Sequence, residues 1–375
     1  MRFPLLLPLS GLIFMNCTAP AAEPAPPVPD ATQVLAVMER VADWQLVHPA
    51  ANRPKDGWVQ AAGYTGIMAL AGISESPRFD EAMMKMGAEN QWKPGSRVYH
   101  ADDYCVVQTY AELSLRHHDA TLIAPATERF DAILAHPTPV GREFNSPQRV
   151  INWWWCDALF MGPPAWLRVW KATGKQAYLD FAVENWWKTS DFLYDRDEHL
   201  YFRDATYFDK REANGKKIFW SRGNGWVMGG LVRVLQYLPA DHPARPRLER
   251  QFREMAARIV ALQQDDGFWR SSLLDPANYP AKEESGTGFF CYALTWGVNH
   301  GLLDRGTTLP VALKAWAAVG TCVEPDGRLI HVQPIGADPK KFDENATEPY
   351  GVGALLLAGS EIYRLARAPA LAGGK

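Results

Sequence analysis

The sequence has little cysteine, no surplus of either charge and no late apolar run, and each shortage removes a class of function. Its 375 residues carry a formal net charge of only -3, with a pI near 6.3. The chain therefore lacks the broad basic field on which non-specific nucleic-acid binding depends, and nucleic acid is not an expected partner. The five cysteines (Cys17, Cys105, Cys156, Cys291, Cys322) show neither Cys-x-x-Cys spacing nor a companion histidine pattern, so no metal site is expected. Three of the last four lie in apolar helical runs and read as buried free thiols. A phosphate-cradling Gly-x-x-x-x-Gly-Lys-Ser/Thr loop and a Gly-x-Ser-x-Gly elbow are also missing, which argues against nucleotide-driven chemistry and serine hydrolysis and leaves no cofactor implied. After the N-terminus no segment offers the roughly 20 uninterrupted apolar residues of a membrane span, so stable membrane insertion is not expected.

The N-terminus itself reads as an export signal: Arg2, an apolar run from Phe3 to Met15, then Ala19-Pro20-Ala21 in the small-x-small pattern of a signal-peptidase site. The expectation is a cleaved signal over 1–22, a Pro/Ala-rich lead-in over 23–30, one folded domain over 31–368, and a periplasmic or secreted protein. Asn16 stands where a small residue would precede a lipidated cysteine, which disfavours anchoring through Cys17.

What the chain does contain is aromatic residues, at 12% with 15 Trp, and helical periodicity. Such rings suit flat platforms for sugars as well as a helical core. Leu248, Phe252, Met255, Ile259 and Leu262 form one apolar stripe, and similar amphipathic stretches fall near 31–47, 78–91, 124–135, 176–192 and 306–319. Between these lie six segments rich in Gly, Ala and aromatics, each opening on a polar or glycine-rich cluster. Markers in those clusters, Trp58, Tyr104, Asp157, Asn224, Thr287 and Pro349, are spaced by 46, 53, 67, 63 and 62 residues, each enough for a helical hairpin with loops. Helices apolar nearly all round must be buried and helices with a wet face sit outside them, so six pairs close most simply into an all-α (α/α)6 barrel. An open helical solenoid uses similar pairs but has no reason to collect acids and aromatics at the same helix ends. In the barrel every inner helix is entered from one side, and the six clusters gather at one mouth.

Two acidic positions stand out at that mouth. Asp157 is framed by Trp153-Trp154-Trp155-Cys156 and Ala158-Leu159-Phe160-Met161, where desolvation would hold a proton on its carboxyl, as a general acid requires; helix capping is the competing role. Of Asp102 and Asp103, Asp103 is the expected catalytic partner and Asp102 the better cap. Arg222-Gly223-Asn224-Gly225-Trp226 combines a cation, close-approach glycines and a ring platform. Trp58, Tyr64, Trp155 and Arg203 complete the candidate substrate-binding set, with Arg222, Trp226 and Asn224.

Trp154 to Pro164 and Trp220 to Trp226 resemble the signature segments of the unsaturated rhamnogalacturonyl hydrolases, glycoside hydrolase family 105, with weaker likeness at Leu200 to Asp204 and Tyr350 to Ala354. The resemblance implies the same (α/α)6 fold and a glycosidase that removes a terminal 4,5-unsaturated uronic acid from lyase-generated oligosaccharides of pectin or rhamnogalacturonan type. It gives Asp157 the task of protonating C4 of the vinyl ether before water adds at C5, Asp103 that of orienting water, Arg222 the uronate and Trp226 a stacking wall. Some members carry a substrate-contacting His in the segment where this chain has Arg203-Asp204, which leaves the leaving sugar open. The alternatives are the sibling glucuronyl hydrolases acting on glycosaminoglycan or algal (ulvan-type) fragments, an ordinary inverting glycosidase, and a glycan-binding protein without catalysis.

Overall fold

The computed structural model describes residues 26–137 and 153–368. The expected signal, Cys17 and the start of the lead-in lie outside the described residues.

The chain runs as alternating outer and inner helices. The first pair is α1 (Ala31–Val47) and α2 (Trp58–Ala71), followed by α3 (Arg78–Glu89) and α4 (Cys105–His117). The third pair is α5 (Ala124–Ala135) and a broken inner element, α6 (Ala158–Met161) and α7 (Pro163–Thr173). Three more follow: α8 (Gln176–Leu193) with α9 (Ser221–Leu235), α10 (Arg245–Val260) with α11 (Glu284–Asn299), and α12 (Arg305–Gly320) with α13 (Pro349–Arg367). The outer helices coincide with the amphipathic stretches read from the sequence. All of α9 and nearly all of α11 and α13 is buried.

The inner helices pack in chain order, and α13 then packs on α2, which closes the ring. Glycine makes that seam possible: a Cβ at Gly66 would lie 2.6 Å from the Gly353 carbonyl oxygen, and one at Gly353 would lie 2.3 Å from that of Ala62. Either would be a steric clash, so only glycine lets the first and last inner helices approach this closely. The fold is the (α/α)6 barrel.

Topology now sorts the polar groups. Inner-helix N-termini open on one mouth. Their C-terminal halves meet at the other end, where Thr65, Glu112, Arg168, Arg233, Tyr292, Ser360 and other inner-helix residues line a cavity of about 260 Å³. There Glu112 Oε1 accepts from Arg168 Nε at 2.5 Å and from Arg233 Nη2 at 2.8 Å, tying α4, α7 and α9 together. The short strands β1 (Tyr194–Asp195) and β2 (Leu200–Tyr201) pair antiparallel between α8 and α9. Among the described residues no helix is long and apolar enough to cross a membrane, and Cys105, Cys156, Cys291 and Cys322 are free buried thiols.

Candidate active site

Asp157 occupies the N-cap position of α6, yet its side chain makes no capping hydrogen bond. The competing structural role is therefore not the one it plays. Its carboxyl is 13% exposed; the Cys156 Sγ lies 3.4 Å from Oδ2 and the Arg203 Nε 3.8 Å from the same oxygen. Burial raises its pKa above the usual carboxylate value, and the nearby Arg203 charge opposes that rise without cancelling it.

The second carboxyl at the mouth is Asp102, not Asp103. Asp102 is pushed up to about 7, first by burial and next by the charge of Asp157. Asp103 is committed elsewhere: Arg97 Nε and Nη2 both reach Oδ1, at 3.0 and 2.5 Å, and the Arg97 backbone N–H donates to Oδ2 at 2.6 Å. A carboxylate saturated in this way is a clamp on the 95–103 loop. Arg97 Nη2 also lies 3.7 Å from Asp102 Oδ2, so one guanidinium borders both carboxyls. Two adjacent residues of a 3₁₀ turn (Ala101–Tyr104) point in different directions, so only one of the two could face Asp157.

The Arg222 to Trp226 run also differs from expectation. It lies inside α9, which begins at Ser221, so its glycines serve helix packing and do not approach a ligand. A Cβ at Gly223 would sit 2.9 Å from the Trp220 ring and one at Gly225 would sit 3.1 Å from the Phe289 Cβ. Asn224 is fully buried: Oδ1 accepts from Tyr201 N, and Nδ2 donates to Tyr201 O and Trp220 O, binding β2 to α9. Its polar capacity is used up, and it holds the scaffold. Trp226 is fully buried among Phe160, Phe289 and Tyr350 and offers no face to a sugar. Arg222 is 1% exposed, donates from Nη1 to Gln333 O and from Nη2 to Pro334 O, and sits 4.5 Å over Trp220 and 4.8 Å from the Tyr350 ring centre. It carries charge into the mouth, and its Nε has no acceptor.

The other candidates divide between mouth and flank. Trp58, half-buried at the start of α2, stacks on Tyr350 at 5.5 Å and is the better-placed platform. Trp155 is buried against His100 and Trp154, with the half-buried Trp154 lying 5.8 Å from the Arg203 guanidinium. Tyr64 lines a groove of about 320 Å³ with Gln45, Met83 and Glu89, on the outer-helix side of α2. It stands apart from the acids. Sequence reasoning gave no site role to Glu348, the N-cap of α13, whose pKa burial raises, and gave Asp102 only a capping role. A polar residue at the head of every inner helix was the available signal for both.

With this geometry in view, the comparisons with known proteins are decisive for the family. Residues 36–366 match the profile of Glycosyl Hydrolase Family 88. The chain belongs to glycosyl hydrolase family 88. A curated relative, the "Unsaturated 3S-rhamnoglycuronyl hydrolase" of Formosa agariphila, is 37% identical, over 89% of this chain and 91% of that protein. Among solved structures, one titled "Glycosyl hydrolase family 88 from Bacteroides vulgatus" superposes with a TM-score of 0.81 at 30% identity, covering 90% of this chain and 99% of the other. Another, titled a polysaccharide lyase, superposes at 0.83 with 33% identity, covering 91% and 99%. Family 88 membership makes the chain a glycosidase, in keeping with the motif likeness to the family 105 hydrolases.

Proposed function

We propose that this glycosidase removes a terminal 4,5-unsaturated uronic acid from oligosaccharides left by polysaccharide lyases, by hydrating the vinyl ether. Asp157 gives a proton to C4; water then adds at C5 and returns its proton to the carboxylate. The hemiketal so formed opens and frees the neighbouring sugar. The observation that carries this reading is a buried acid at the barrel mouth, released from capping duty, beside a second carboxyl pushed up to about 7. That arrangement raises the proton affinity of the acid, which protonation of carbon demands. Trp58 and Trp154 supply ring faces, and Arg203 and Arg222 supply positive charge.

The name of the Formosa agariphila relative supports a substrate in which the unsaturated unit is joined to rhamnose through a glycuronyl linkage. We favour that algal, ulvan-type alternative over the pectin type, and the apolar N-terminal segment supports export to where such fragments arise. The test is incubation with lyase products of rhamnose–glucuronate, pectic and glycosaminoglycan polysaccharides, following ultraviolet absorbance of the conjugated double bond. Absorbance should fall with the first set and stay constant in an Asp157→Asn variant. A rise on intact polysaccharide would mean elimination, a lyase reaction, and no change with any fragment would overturn the reading.

A further inference from the structure

Asp157 has a guanidinium for a neighbour, and a cation is the wrong companion for an acid that must hold a proton. Arg203 is nevertheless fixed there. Its Nη1 donates to Asp204 Oδ2 at 2.6 Å, while Asp204 Oδ1 is anchored by the backbone N–H and hydroxyl of Thr206. The Arg203 carbonyl accepts from Cys156 N at 2.8 Å, which joins this segment to the one bearing the acid. Nε is buried without an acceptor, since 3.8 Å to Asp157 Oδ2 is beyond a hydrogen bond. The side chain is 22% exposed, so it is not sealed from solvent.

A buried, unpaired donor on a partly exposed cation calls for an anionic acceptor from outside. The proposed substrate brings one to this place by its own covalent structure. Its carboxylate is bonded to C5, the atom next to C4, so any pose with C4 against Asp157 sets that carboxylate beside Asp157 too. Arg222 is less able to meet it, because both of its Nη atoms already donate to backbone carbonyls.

We propose that Arg203 receives the uronate carboxylate of the substrate and thereby couples substrate binding to proton uptake by Asp157. In the free enzyme the Arg203 charge favours the Asp157 anion. Once the uronate occupies Arg203, its charge is offset and a new carboxylate lies next to Asp157, so the acid takes a proton from solvent. Around Asp157 and its neighbours Asp102 and Cys156 the charged groups are Arg97, Asp103, Arg203, Asp204 and Arg222, and of these Arg203 combines contact with the acid and partial exposure. The proton acquired on binding is the one delivered to C4. Water supplies hydroxide to C5 and its remaining proton restores Asp157, so one water is consumed and the enzyme is unchanged. Loading of the acid thus depends on an anionic terminal sugar, which gives selectivity for uronates over neutral unsaturated ends.

This inference rests on the hydration reading, and pH profiles of steady-state turnover separate the two. The alkaline limb of kcat/KM reports Asp157 in the free enzyme, and that of kcat reports it in the complex. In the wild type the kcat limb should lie at higher pH. Arg203→Met should raise KM roughly tenfold or more, through loss of a charge-assisted contact, and bring the two limbs together by moving the kcat/KM limb upward. Arg203→Lys keeps the charge and should keep the separation. Coincident limbs in the wild type, or a KM increase in Arg203→Met with neither limb moved, would overturn the coupling while leaving the reaction standing. Were the methionine variant unable to fold, the wild type and Arg203→Lys profiles decide the matter. Absence of turnover on every unsaturated fragment would instead remove the functional reading itself.

Discussion

Glu112→Gln tests whether the end of the barrel opposite the acids is a structural lock. Arg168 and Arg233 are 1% and 3% exposed and both reach one oxygen of Glu112, at 2.5 and 2.8 Å. Burial, with the Arg168 charge second, lowers the pKa of Arg233, and Glu112 is the only anion in ion-pair contact with the two arginines among the described residues. Removing one member of a buried ionic cluster costs roughly 3–5 kcal/mol, because the remaining charges stay buried and uncompensated. Glutamine retains an acceptor, Arg168 keeps Pro164 O and Arg233 O, and Arg233 keeps Gln108 Oε1, so the lower end, about 3 kcal/mol, applies. That is a large part of the 5–15 kcal/mol typical of folded domains. Urea unfolding followed by tryptophan fluorescence should show a lower midpoint at unchanged slope, with kcat nearly unaltered, since the cluster lies at the far end from the mouth. Burial pushes the Glu112 pKa up, but Arg168 and Arg233 outweigh it and the net shift is downward. Its stabilisation is therefore present above the ordinary glutamate value and lost as pH falls through the depressed one, so the gap between variant and wild type should close in acid. A loss below about 1 kcal/mol at neutral pH, the range of exposed ion pairs, would refute the reasoning.

Further expectations follow from the same contacts. Gly353→Ala should lower stability by about 1–3 kcal/mol, the usual cost of overpacking, because its methyl would collide with the Ala62 carbonyl where the ring closes; an unchanged melting temperature would contradict the seam. Glu284 is buried with no partner for either oxygen, and burial, with the Glu283 charge second, raises its pKa well above the ordinary value. Between those two values the unfolded chain ionises and the folded one does not, so wild-type stability should fall as pH rises there. In Glu284→Gln that part of the slope should vanish, and parallel stability curves for the two proteins would be evidence against it. Asp102→Asn should remove most turnover with little change in stability, whereas Asp103→Asn should lower stability by roughly 1–3 kcal/mol through the lost Arg97 clamp; the reverse pattern would return the catalytic role to Asp103.

The barrel was legible in the sequence because burial leaves a periodic mark: the stripe from Leu248 to Ile259 is the inward face of α10, Leu262 falling just past its end, and the glycine-rich segments are the inner ring. Asp157 could be found because its apolar frame is local in sequence. The remaining site depended on where each helix begins and which way a side chain then points. Nothing in Arg222 to Trp226 tells that α9 starts one residue earlier, which turns an apparent ligand loop into helix interior and puts Trp226 in the core. Asp102 and Asp103 are chemically identical neighbours, and their separation into acid and clamp depends on Arg97, held by a loop conformation that composition does not encode. The part played by Arg203 depends on a pairing between the 203 carbonyl and Cys156, 47 positions away in the sequence.

The central claim is that a proton from Asp157 reaches C4 while water adds at C5. Turnover of an unsaturated rhamnose-linked substrate in deuterated, ¹⁸O-enriched water, with the uronate product read by NMR and mass spectrometry, tests both halves at once. The account predicts one deuterium at C4 and ¹⁸O at C5, in a product that has lost its double bond. Release of the neighbouring sugar from a uronate that keeps the double bond, with no deuterium at C4, would contradict it.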